Sequence, residues 1–76
     1  MKSCLDKEKT AENLRTLRME SGLTLNKILD ALDLETTTPI YKWEAGVFMP
    51  SLDRLVKICE LYGKTLDEIV AVKSIV

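Results

Sequence analysis

Gly22 to Gly46, GLTLNKILDALDLETTTPIYKWEAG, holds two short helical patterns separated by a polar break. The first starts with Thr24 as its N-cap and sets Leu25, Ile28, Leu29 and Leu32 at helical spacing before Asp33-Leu34-Glu35. The second begins in the threonine run Thr36-Thr37-Thr38 and turns Ile40 and Trp43, three residues apart, to one face. Thr37, Thr38, Tyr41 and Lys42 are left on other faces. Two helices joined by a turn, the second with a polar outer face, make a shape that can lie in a groove.

On the N-terminal side, Thr10 can cap a helix running to about Ser21, with Ala11, Leu14 and Leu17 inward and Gly22 as its stop. On the other side, the loop Val47-Phe48-Met49-Pro50 precedes Ser51, which opens a helix to Tyr62 that Gly63 ends. Its apolar positions Leu52, Leu55, Val56, Cys59 and Tyr62 read as a buried face. Thr65-Leu66-Asp67-Glu68 is a capping box, threonine with glutamate three residues on, and opens a fifth helix burying Leu66, Ile69 and Val70. Five helices with short connections and no strand predict an all-α fold, a compact five-helix bundle forming a single domain over 1–76. Residues 1–9 read as a flexible leader and 71–76 as an apolar tail.

Composition excludes several classes. A chain of 76 residues buries only about 60% of its unfolded surface, so nearly all its apolar residues must share one core. With 46% hydrophobic and 30% charged residues, it reads as a globular chain, and no window approaches the roughly 20 apolar residues a bilayer needs. MKSCLDKEKT carries charges where a signal peptide has its apolar stretch, so the expected location is the cytoplasm. There is no histidine, and the two cysteines, Cys4 and Cys59, form no CxxC pair. A metal site is therefore not expected, and both cysteines read as free thiols. Without histidine, a Gly-rich phosphate loop, a GxSxG elbow or HExxH, no enzyme and no cofactor are expected.

These residues, taken in order, resemble the lambda-repressor-like, Cro/repressor or XRE-type family of helix-turn-helix DNA-binding domains over roughly Ala11 to Val70. The resemblance rests on Leu14-Arg15 and Arg18, on Gly22-Leu23-Thr24, on Ile40 with Trp43-Glu44, and on Gly46 and Pro50. It continues through Leu52, Leu55 and Leu61 to Thr65-Leu66-Asp67-Glu68-Ile69. It implies a five-helix fold in which helices two and three form the helix-turn-helix, and a function in transcription regulation through double-stranded DNA. It also implies a structural ion pair between Arg18 and Glu44, tying helix one to helix three.

The chain departs from the family pattern at three places. Between Leu34 and Trp43 it has one residue more than the commonest spacing, and Pro39 falls there, so the groove-entering helix should begin at Thr37 or Thr38. Leu25 stands where the family often has a glutamine. The net charge is −1, and from Thr24 to Gly46 only Lys27 and Lys42 are cationic, against Asp30, Asp33, Glu35 and Glu44. Duplex binding draws on neutralised phosphates, so local placement of charge has to compensate. The leader lysines Lys2, Lys7 and Lys9 can add to one face.

The expected DNA contacts are Thr24, Asn26, Lys27, Thr36, Thr37, Thr38, Tyr41 and Lys42. Thr38 and Tyr41 can meet base edges, and Lys42 a guanine or a phosphate. For the threonine run, capping and turn formation is an equally good reading, and Tyr41 and Lys42 also read as ordinary solvated side chains. Trp43 reads as a packing anchor. Val47, Phe48, Met49, Val72, Ile75 and Val76 are more apolar than a surface requires, and predict a homodimer contact unless they close the domain's own core. Three functions follow: a small sequence-specific regulator, most simply a repressor; a protein-interaction module using the Phe48 loop and the tail; or the antitoxin of a toxin-antitoxin pair.

Overall fold

A computed structural model describes residues 3–74. Strand β1 (Ser3–Leu5) leads into α1 (Lys7–Ser21), followed by α2 (Leu25–Ala31), α3 (Thr38–Glu44), α4 (Leu52–Tyr62), α5 (Leu66–Ile69) and strand β2 (Val72–Ser74). The fold class is all-α with five helices, as the periodicity predicts. Helix α1 packs against α3, α4 and α5, and α2 against α4. The centre of the bundle is one cluster: Leu14, Ile28, Leu32, Ile40, Trp43, Ile58 and Ile69.

Each helix has an identifiable start. The Thr24 hydroxyl accepts from the Lys27 N–H at 3.2 Å and the Ser51 hydroxyl from the Arg54 N–H at 3.3 Å, satisfying donors that have no intrahelical partner. The Glu68 carboxylate reaches back to the Thr65 N–H at 3.1 Å. Helix α3 differs, because its N-cap Thr37 makes no side-chain capping bond and Pro39 pre-sets the first turn.

Helix α2 ends on Asp33 in the left-handed region, φ 55°. The Leu34 N–H donates to the Leu29 carbonyl at 2.9 Å and the Asp33 N–H to Asp30 at 3.3 Å. That is a Schellman termination with aspartate where glycine is usual. It reverses the chain, and the longer connection over residues 32–37 takes up the additional residue between the helices. Helix α3 closes the same way on Gly46, φ 74°, with the Val47 N–H donating to the Lys42 carbonyl at 3.0 Å.

The termini correct the sequence reading at four points. Helix α1 begins three residues earlier than Thr10, because the Asp6 carboxylate accepts from the Lys9 N–H at 3.0 Å and supplies the cap. Thr10 is instead buried, and its hydroxyl accepts from the Ala71 N–H at 3.0 Å. The expected leader is structured from Ser3 on. Helix α5 does not continue into the tail: Val70 turns extended and β2 pairs antiparallel with β1, Leu5 opposite Val72. Strands this short carry too little pattern to be read from sequence. Of the expected tail contacts, Val72 lies on β2 and is 69% exposed, while Ile75 and Val76, like Lys2 at the other end, lie outside the described residues.

Helix α4 is also rotated from its expected face. Ile58 is the buried residue, 1% exposed, while Leu52 and Val56 are 68% and 51% exposed. Leu55, Cys59, Leu61 and Tyr62 pack at the margin of the core. Burial pushes the Cys59 thiol up, in keeping with a packed, unreactive side chain. Near α5, Leu66 is exposed rather than buried and Ile69 carries the helix's packing.

Candidate nucleic-acid interface

The two helices of the opening segment present their polar residues on the surface. Thr24, Asn26 and Lys27 at the start of α2 are exposed. So are Thr36, Thr38, Tyr41 and Lys42 around α3, with Thr37 half-buried. Successive residues turn by about 100° around a helix axis. Thr38, Tyr41, Lys42 and Ala45 therefore lie within one stripe, opposite buried Ile40 and Trp43. Since Thr37 spends no hydroxyl on capping, its oxygen is available for another partner.

The stripe is held in place from α1. Arg18 Nε and Nη2 donate to the two Glu44 carboxylate oxygens at 2.6 and 2.8 Å, a bidentate pair with side chains 19% and 8% exposed. The hydrogen bond to Glu44 raises the Arg18 pKa against the cost of its burial. The same guanidinium lies 6.0 Å from the centre of the Tyr41 ring, which is 49% exposed. Burial, and then the charge of Glu44, pushes the neighbouring Tyr62 phenol up to about 12. This pair fixes the pitch of α3 on α1 and removes Glu44 from the charges that would repel a phosphate.

Two features here were not legible in the sequence. Lys42 places its ammonium 5.6 Å from the centre of the Phe48 ring, so the apolar loop after α3 supports the one cation of the exposed α3 stripe. In the loop, Val47 and Phe48 are exposed and Met49 half-buried. The second feature is a cleft of about 310 Å³ between α1 and α3, lined by Arg15, Arg18, Tyr41, Glu44 and Ala45. In the sequence Arg15 stands out only as one of the residues that carry the family resemblance; its spacing of three from Arg18, on the same helix face, is the signal that places it here. Among the described residues no group of three or more His, Cys, Asp or Glu side chains is placed to hold a metal ion.

A family model described as Helix-turn-helix (HTH_3) matches residues 14–69. The chain belongs to the lambda-repressor-like helix-turn-helix family. The match spans all five helices but for the first half of α1, and it makes this chain a DNA-binding regulator in the general sense, in a family that is not enzymatic. Double-stranded DNA is accordingly the partner the helix-turn-helix serves. No curated protein and no solved structure shows significant similarity to the chain. Among the described residues no helix is long and apolar enough to cross a membrane.

Proposed function

We propose that the chain is a sequence-specific transcriptional regulator that works by occupying its operator, as a repressor does, with α3 in the major groove and the start of α2 on the backbone. The observation that carries this reading is the outward stripe Thr38, Tyr41 and Lys42 on a helix whose opposite face is locked into the core by Ile40 and Trp43. Thr38 and Tyr41 read base edges, where a hydroxyl or a methyl can distinguish one pair from another. Lys42, steadied by Phe48, neutralises a phosphate, and Thr24, Asn26, Lys27, Thr36 and Thr37 contact the sugar-phosphate backbone and set the register. The ion pairs help the electrostatics: Glu44 is matched by Arg18, and Asp33 faces the Lys57 ammonium at 3.9 Å.

In this reading the regulator acts as a homodimer, with two α3 helices about 34 Å apart reading half-sites one helical turn apart. Support comes from the exposed apolar side chains Val47, Leu52, Val56 and Val72. Sedimentation across a concentration series tests the dimer: a single monomeric mass at all concentrations contradicts it.

A mobility-shift selection from random duplexes tests the function. The wild-type chain is expected to enrich one motif at low salt. Lys42→Ala should weaken binding to all sequences alike, and Thr38→Ala should relax one position of the motif, with a loss of about 1–3 kcal/mol on the preferred base. Failure of the wild type to enrich any sequence overturns the function. An unchanged motif in Thr38→Ala overturns the base-reading role of that residue alone.

A further inference from the structure

We propose that the cleft between α1 and α3 seats a backbone phosphate of the bound duplex, with Arg15 as the cation that holds it. This rests on the reading of α3 as the groove-entering helix and adds a contact from α1, outside the helix-turn-helix itself.

Position comes first. Ala45 lies on the same stripe of α3 as Thr38 and Tyr41, one turn beyond Tyr41, and both Tyr41 and Ala45 line the cleft. The cleft is thus the C-terminal continuation of the proposed base-reading surface. A duplex lying along that stripe passes its sugar-phosphate rail over the cleft mouth.

Charge comes second. Three charged side chains line the cleft: Arg15, Arg18 and Glu44. Glu44 has both carboxylate oxygens occupied by Arg18 at 2.6 and 2.8 Å, so that pair is neutral as a unit. Arg15 is exposed and, among the described residues, lies within salt-bridge distance of no carboxylate. The cleft therefore carries one uncompensated positive charge on a planar, multi-donor guanidinium, the group best matched to phosphate oxygens. The cleft, about 310 Å³, opens to solvent, so a phosphate can approach the guanidinium with part of its hydration retained. Tyr41 lines the cleft from α3, across from Arg15 and Arg18 of α1.

The site also answers a deficit of the chain. The segment from Thr24 to Gly46 carries only two cations, and a phosphate contact from α1 supplies a third where the opening segment has none.

Affinity for the selected duplex and for a scrambled duplex, measured by fluorescence anisotropy over a series of salt concentrations, tests the proposal. Arg15→Gln should weaken both duplexes by the same factor and make the slope of log K against log salt shallower by about 0.9, the value for one phosphate. Arg15→Lys should keep the wild-type slope, because the charge is retained. Thermal melting of both variants checks that they fold. An unaltered affinity and slope in folded Arg15→Gln overturns the proposal while leaving the function intact. Arg15→Gln that changes only the sedimentation of the free protein also overturns it, since the guanidinium then serves a second copy of the chain. If the wild type binds neither duplex, the function falls, and the phosphate site with it.

Discussion

Arg18 and Glu44 stand 26 residues apart in sequence and meet in a two-bond pair that is mostly shielded from water. Removing either partner leaves the other charge half-buried without its match, which costs far more than losing an exposed pair. Glu44→Gln is expected to lower stability by about 2 kcal/mol, read as a reduced denaturation midpoint at unchanged slope. Arg18→Met combined with Glu44→Leu should recover much of that loss, because it removes both charges together. A double mutant no more stable than either single variant would contradict this account of the pair. The pairing of these residues was legible only through the family resemblance; nothing in the local pattern of either helix joins positions so far apart. The Lys42 to Phe48 contact was illegible for a related reason. Composition marks Phe48 as surplus apolar surface, but only the Gly46 reversal brings its ring beneath Lys42.

At the scale of elements, caps and breakers carried the reading. Thr24, Ser51 and the Thr65 to Glu68 box stand where their side chains satisfy first-turn donors. Thr10 misled because an upstream aspartate, Asp6, takes the capping role and frees the threonine for a long-range bond. Helix α4 misled because Leu52, Val56 and Cys59 keep helical spacing as well as Leu55, Ile58 and Leu61 do, and periodicity cannot say which stripe meets the core. Two predictions belong here. Asp33 holds a left-handed backbone that glycine adopts without steric cost, so Asp33→Gly should stabilise the chain by about 0.5 kcal/mol, seen as a rise in melting temperature. An unchanged or lower melting temperature would contradict the Schellman argument. The second concerns α5. Hydrogen bonds from Thr65, then the charge of Lys64, hold the Glu68 carboxyl below its ordinary value. Its contribution to stability is fully present above the unfolded value, about 4.3, and is lost as pH falls through the lower folded one. Glu68→Gln should flatten the acid limb of the stability curve in that window and leave the neutral region parallel. An acid limb of unchanged steepness would show that the carboxylate does not cap α5.

Across the whole molecule, β1 and β2, near the two ends of the described residues, are fastened to each other over the first half of α1. Besides the β1–β2 pairing, the Asp6 N–H donates to the Ala71 carbonyl at 2.9 Å, the Ala71 N–H to Thr10 at 3.0 Å, and Asn13 Nδ2 to the Ile69 carbonyl at 3.0 Å. This clasp adds long-range hydrogen bonds to a small domain, which buries a smaller share of its surface than a large one does. Thr10→Val keeps the shape but leaves the Ala71 N–H unpaired, and should cost about 1–2 kcal/mol in chemical denaturation. A neutral substitution would show the clasp to be incidental. The clasp and the helix-turn-helix divide the molecule: α1 holds the termini with its N-terminal half and steadies α3 through Arg18 with its C-terminal half.

That division leaves α3 and the start of α2 free for the DNA contacts we propose, with Arg15 of α1 beside them, and amide chemical-shift mapping of the labelled chain with its selected duplex tests the proposal most directly. Perturbations are expected to concentrate at residues 24–27 and 36–42, with β1, β2 and α4 little affected at low protein concentration. Shifts centred on β2 or α4 while α3 stays unmoved would contradict the account.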